Sequence, residues 1–246
     1  MHASSPRTRM MLAWLTALGF GVVATGFAHG AYYALPRPQP LEELSYYPSG
    51  AHLRPATLGH AETAADFAWM RAVQYYGEHR NTDNRFMRMS HIFDILTTLS
   101  PRFVGAYVFG AFALAQEGRE FEAAERLMLK GLEVNPTSGR LAFELGFLYF
   151  VRPGGRDLVH AAEYFEQASR QPDGPAQSAR FAAYARQHSG DLAVAYELWS
   201  NVRQSSANQA LREMAEREMR KIRRALESGQ AGLAVKRLTT PQVLLR

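Results

Sequence analysis

Eight histidines are the residues of this 246-residue chain best suited to proton transfer or metal ligation, and they are scattered: His2, His29, His52, His60, His79, His91, His160 and His188. No two stand in an HExxH or comparable ligand spacing. His79 and His91 flank an Asn81–Asn84 turn, too weak a pattern to expect a metal. Asp66, Arg71, Gln74 and His79 lie along one helical segment. Hydrogen bonding to the proline-rich stretch before it is the expected use of that cluster, and Asp66 with His79 is the only seed for an enzyme. The Pro153-Gly-Gly turn lacks the lysine-serine ending and the preceding strand of a phosphate loop, and no Gly-x-Ser-x-Gly nucleophile signal occurs. Cysteine is absent, which excludes disulfides, thiolate metal sites and cysteine nucleophiles. The expectation is a non-enzymatic protein without cofactor or metal.

The same residues read better as structure. Leu141 to Phe150 places small and large apolar residues at helical spacing, and Arg152-Pro-Gly-Gly-Arg-Asp interrupts it. Ala161, Tyr164, Phe165 and Ala168 then repeat the pattern at i, i+3, i+4 and i+7. Two helices joined by a short break form an antiparallel pair, which cannot bury its apolar faces alone. Further pairs are therefore expected beside it. A first pair reads from Gly59 through Leu99, with helices before the 81–84 turn and over Phe86–Leu99. On its first helix Ala65, Ala68, Trp69, Ala72 and Tyr76 form one stripe. Phe67, Met70 and Val73 lie off it, which predicts cover on more than one side. A second pair reads Phe103–Gln116 and Glu120–Val134. A fourth reads Ala176–His188 and Leu192–Val202. A last, charged helix runs Asn208–Ser228.

The amino-terminal stretch differs. Arg7 and Arg9 precede an uncharged run from Met10 that continues to Leu35, long enough for the roughly 20 residues that span a bilayer. Trp14 and Tyr32-Tyr33 suit interfacial positions, and the basic bias places the N-terminus in the cytoplasm. A cleaved signal peptide, cut near Ala28-His29-Gly30, is the rival reading, and a buried core helix a third. The length of the run favours an uncleaved anchor over 10–35. Prolines 36, 38, 40, 48 and 55 make 36–58 a spacer in which extended chain is expected, lying against the folded part.

The stop signals Pro101, Pro136 and Pro172 are 35 and 36 residues apart. Leu145, Gly146 and Tyr149, then Ala161, Phe165, Ala168 and Pro172, stand in the order of a known repeat signature. Ala124, Gly131 and Pro136 match it in the second pair, and Gly190, Ala195 and Trp199 in the fourth. The first pair matches only in length and in its closing Pro101. Over about 60–203 the chain resembles a tetratricopeptide repeat (TPR) protein. The departures are Met128 in place of the large aromatic, the three-residue Pro153-Gly-Gly insertion, and the missing proline after the fourth pair. The resemblance implies an all-α, right-handed helical-repeat solenoid over 59–203, closed by a capping helix over 204–228. It also implies that the first helix of each pair lines a concave groove. On helix geometry that groove would carry Val108 and Phe112, then Phe143, Phe147 and Phe150, then Arg180, Tyr184 and Gln187. An aromatic groove rimmed by one arginine suits a protein or peptide segment.

The net charge of +5 belongs to the C-terminal end. From Arg203 onward ten basic residues face four acidic ones, so the rest is near neutral. The Arg217–Arg224 cluster and the basic tail 229–246 could meet nucleic acid or anionic lipid. The helix carries no aromatic residue for stacking on bases, which counts against nucleic acid. Lipid contact would need the array to fold back to the bilayer. The expected protein is a scaffold or adaptor of a bacterial-type inner membrane, its repeat domain in the periplasm, resembling accessory subunits of secretion, pilus or envelope assemblies. A soluble binding module follows if the leader is cleaved.

Overall fold

Breaks at proline, glycine and asparagine cut the chain into helices, and no strand occurs among the described residues. A computed structural model describes residues 6–34 and 48–229. The extended chain expected over 36–47 and the basic tail from 230 lie outside them. The chain divides into two compact units, Met1–Tyr47 and Pro48–Arg246.

In the first unit α1 runs Pro6–Ala34. Its stretch Ala13–Ala31 has a mean hydropathy of 1.2 and none of it is buried, so by length and composition it is able to cross a membrane. A signal sequence passes the same test. Apolar residues surround the helix without a preferred face, and Gly19, Gly21 and Gly26 meet no neighbour. Thr16 and Thr25 donate their hydroxyls back to Ala13 and Gly21 carbonyls at 2.9 and 2.8 Å. The run therefore satisfies these polar groups internally, as a lipid environment requires.

The second unit begins with a correction. Gly50–Ala56 is a short helix, α2, where the prolines predict extended chain. Pro55 falls in its last turn, where the lost amide donor stops the helix instead of preventing it. Gly50 makes the contact that holds α2: a Cβ there would stand 2.6 Å from Thr98 Cβ and 3.1 Å from the Ile95 backbone.

The pairs follow as α3 (Ala61–Arg80) with α4 (Met89–Leu99), and α5 (Val104–Phe112) with α6 (Phe121–Val134). Then come α7 (Gly139–Phe150) with α8 (Leu158–Ser169), α9 (Ser178–Ser189) with α10 (Leu192–Ser205), and α11 (Gln209–Glu227). From α3 onward consecutive helices pack on one another, α2 packs on α4, and α4 also meets α6 while α5 meets α7. Side-chain caps set several starts. Ser138, Asp157, Asp191 and Asn208 accept from backbone amides of α7, α8, α10 and α11, each worth about 1 kcal/mol. Gly190 ends α9 in the left-handed region at φ 95°, open to glycine at little cost.

Close helix approach depends on small residues at the crossings. A Cβ on Gly146 would meet the Phe165 ring at 2.9 Å, and Ala161, Phe165 and Ala168 are fully buried beside it. Gly110, 36 residues earlier, is pressed the same way against Phe93 and Leu127. Buried rings such as Phe93 and Phe165 each contribute about 2–3 kcal/mol of transfer free energy.

Three further expectations change. Phe67, Met70 and Val73 of α3 are exposed, at 66, 55 and 41%, so that face has no second cover among the described residues. The helix expected from Phe86 begins at Met89, because Tyr75 holds the preceding turn: its hydroxyl donates to the Arg85 carbonyl and accepts the Arg88 amide. The helix expected to reach Gln116 as one α-helix ends at Phe112 and widens into a π turn, Ala113–Glu117, closed by the Gly118 amide on the Ala113 carbonyl at 3.0 Å.

Candidate functional site

Helices α5 and α7, first members of adjacent pairs, enclose a cleft of about 520 Å³. Gly105, Val108, Phe109, Ala111 and Phe112 form the α5 wall. Ala115 and Gln116 of the π turn extend it, and Met128 of α6 closes the floor. From α7 come Arg140, Glu144, Phe147 and Leu148, and Val151 follows as the residue that caps its end. The lining is mainly apolar, and the volume lies within the range of small-ligand and peptide sites. Phe112 and Phe147 remain 52% and 38% exposed, although both are large apolar side chains.

A second hollow of about 250 Å³ lies along the array, lined by Phe150, Arg180, Phe181, Tyr184, Trp199 and Met214. The two are joined by a ring stack, with Phe147 and Phe150 centroids 6.2 Å apart. Phe181 crosses edge-on to both rings, at 6.3 and 5.7 Å. The Arg156 guanidinium covers Phe150 and that of Arg180 covers Phe181, at 5.1 and 5.5 Å. Such cation–ring contacts hold the rims without removing the charge from water.

Of the eight groove residues expected from sequence, Val108, Phe112 and Phe147 line the first hollow. Phe150, Arg180 and Tyr184 line the second. The other two are elsewhere. Phe143 is 7% exposed and packs on Phe165 and Phe181 at 5.2 and 5.6 Å, so it belongs to the core between α7, α8 and α9. Gln187 accepts the Trp199 indole N–H at 2.7 Å and donates to Glu218 at 2.9 Å, so its amide is committed to fastening α9 to α10 and α11.

The groove stripe of α7 and its cap residue is therefore Arg140, Glu144, Phe147 and Val151, at i, i+4, i+7 and i+11. Arg140 and Glu144 were not expected there, because hydrophobicity points to apolar residues as a groove lining, and of those on α7 Phe143 turns inward. Glu144 is half-buried and makes no hydrogen bond or ion pair with a described residue. Burial raises its carboxyl above the usual range, and the nearby Arg140 guanidinium opposes that shift only in part.

Of the polar residues along α3, Asp66 and Gln74 are exposed, whereas His79 is buried and its Nδ1 is 2.6 Å from Asp83 Oδ1 in the turn that follows; the stretch 36–47, to which hydrogen bonds are expected, lies outside the described residues. His79 Nε2 has no hydrogen-bond partner among the described residues and lies among the rings of Tyr75 and Phe86. Among the described residues no group of three His, Asp or Glu side chains could hold a metal. A third hollow, between α10 and α11, is polar and carries Arg203, Arg220 and Arg223. Glu216 offsets one of these charges, and the Tyr196 hydroxyl accepts from Arg223 at 2.9 Å.

No protein-family model matches the chain, and no curated protein matches it.

Proposed function

We propose that the chain is a membrane-anchored scaffold whose helix pairs form a right-handed TPR-like solenoid, and that this solenoid holds a protein or peptide segment along its first helices. The observation that carries this reading is the apolar cleft between α5 and α7, with Phe112 and Phe147 left exposed at its edge. A contiguous apolar hollow open to water is unfavourable unless something fills it. The 35- and 36-residue spacing and the paired close approaches at Gly110 and Gly146 support the repeat reading. The length and uniform apolar surface of α1 support an uncleaved anchor in a bacterial-type inner membrane. The basic residues ahead of it favour a cytoplasmic N-terminus and a periplasmic solenoid. The setting would then be an envelope, secretion or pilus-type assembly, by analogy of architecture alone.

Photocrosslinking tests the groove. A benzophenone side chain at position 112 or 147, in native membranes, is expected to give a discrete protein adduct that a probe at the exposed Glu122 does not. Equal labelling from all three positions would sink the groove. The same groove would serve a soluble module if the leader is removed. Intact mass of the mature chain separates the two, since loss of about 30 residues contradicts the anchor.

A further inference from the structure

Glu144 specifies what the occupant of the cleft must carry. The walls contributed by α5, the π turn and α6 are Gly, Ala, Val, Phe, Met and one glutamine, with no charged residue. Among the described residues Arg140 is the only other charged group in the lining. It stands one turn before Glu144 on α7 and is exposed, and the two side chains do not form an ion pair. Glu144 therefore presents a carboxylate, partly stripped of water, to an apolar hollow in which no described group donates to it. An apolar segment laid over Phe112 and Phe147 would remove more of that water. An occupant with only apolar side chains would leave a buried, unpaired charge, one of the costliest arrangements in a protein. An occupant bringing a lysine or arginine to Glu144 would turn the same burial into a charge-assisted hydrogen bond.

Resting on the proposed peptide-binding role, we infer that the cleft selects an apolar segment bearing one basic side chain, which pairs with Glu144 between the Phe112 and Phe147 rings. The carboxylate then acts as the selectivity element. Purely apolar segments, the commonest unwanted occupants of an exposed hydrophobic cleft, are rejected by the desolvation they impose on it.

The test uses the full chain in nanodiscs and a phage-displayed library of random dodecapeptides. Wild type is expected to enrich apolar peptides carrying a lysine or arginine, while Glu144→Gln enriches apolar peptides with no such requirement. For one selected peptide, replacing its basic residue with norleucine should weaken binding to wild type at least tenfold and leave binding to Glu144→Gln unchanged. Enrichment of peptides without a basic residue, or equal loss on both proteins, overturns the inference and leaves the groove intact. Failure to enrich any peptide that Phe112→Asp abolishes overturns the peptide-binding reading itself, and this inference with it. A second measurement needs no variant. Arg140, the only charged neighbour in the cleft among the described residues, keeps its charge across the acid range. Binding of the selected peptide to wild type should therefore weaken as pH falls through the Glu144 titration. Tighter binding at lower pH would mean that the carboxyl is neutral in the complex, which contradicts the pairing.

Discussion

The Trp199 indole nitrogen donates to Gln187 Oε1 at 2.7 Å, and the same Gln187 amide donates on to Glu218. Three helices are tied by one side chain, and Trp199 is 2% exposed. Gln187→Leu removes the acceptor of a buried donor and should cost about 1–3 kcal/mol in urea unfolding. Binding at the first hollow, which Gln187 does not line, should be unchanged.

Neighbouring phenylalanines on α7 should behave differently. Phe143 is core and Phe147 is rim. Phe143→Ala should lose about 3–5 kcal/mol, measured by denaturant midpoint. Phe147→Asp should leave the helical circular dichroism signal and midpoint nearly intact, within about 1 kcal/mol, while abolishing peptide binding.

Glu144 and Asp173 should give pH dependences of opposite sign. Burial raises the folded pKa of Glu144, so its ionised form costs stability, fully so above that raised value. The cost fades as pH falls through it and is gone below the ordinary carboxyl value. Glu144→Gln should therefore raise Tm at pH 7 and leave it unchanged at pH 3. An unchanged Tm at pH 7 would place the carboxylate in water.

Asp173 accepts from the Gly139 amide at 2.7 Å and the Ser138 hydroxyl at 3.3 Å, which lowers its pKa. Here the stability is present above the ordinary carboxyl value and is lost as pH falls through the depressed folded one. Asp173→Asn should lower Tm slightly at pH 7, the effect being small because the exposed carboxylate is screened by solvent. Its thermal melt should converge with wild type in strong acid.

Gly146 permits α7 to approach α8. Gly146→Val places a Cβ 2.9 Å from the Phe165 ring and 3.1 Å from the Ala161 carbonyl oxygen. Overpacking of this kind should cost about 1–3 kcal/mol, read from thermal unfolding. An unchanged midpoint would show that Phe165 can move aside.

Helix positions were largely legible because period 3.6 and the proline stops act locally. Residues such as Ala161, Phe165 and Ala168, spaced for one face, are all fully buried. The misses have a common cause in tertiary structure. Pro55 looked incompatible with helix, yet one turn forms around it because Gly50 can press on Thr98. Phe143 and Phe147 share a face in any helical projection. Phe143 is the one covered because it also packs on Phe165, 22 residues away, whereas Phe181 meets both rings. Glu144 was invisible as a site residue because hydrophobicity alone assigns charge to the outside. In α3 the reverse happened: Phe67, Met70 and Val73 looked buried by composition and face solvent.

The π turn at Ala113–Glu117 has a consequence for how α5 tolerates change in chain length. One extra residue is accommodated within its last turn, where each α-helical residue turns the chain by about 100° and advances it about 1.5 Å. Deleting any single residue between Ala113 and Glu117 would let the ladder close as ordinary α-helix. It would also rotate Ala115 and Gln116 away from the cleft and carry off Glu117, which meets Tyr76 and Arg80 of α3. Most point substitutions there would change a side chain; a one-residue deletion would change the phase of the helix, and with it the alignment of the first two pairs.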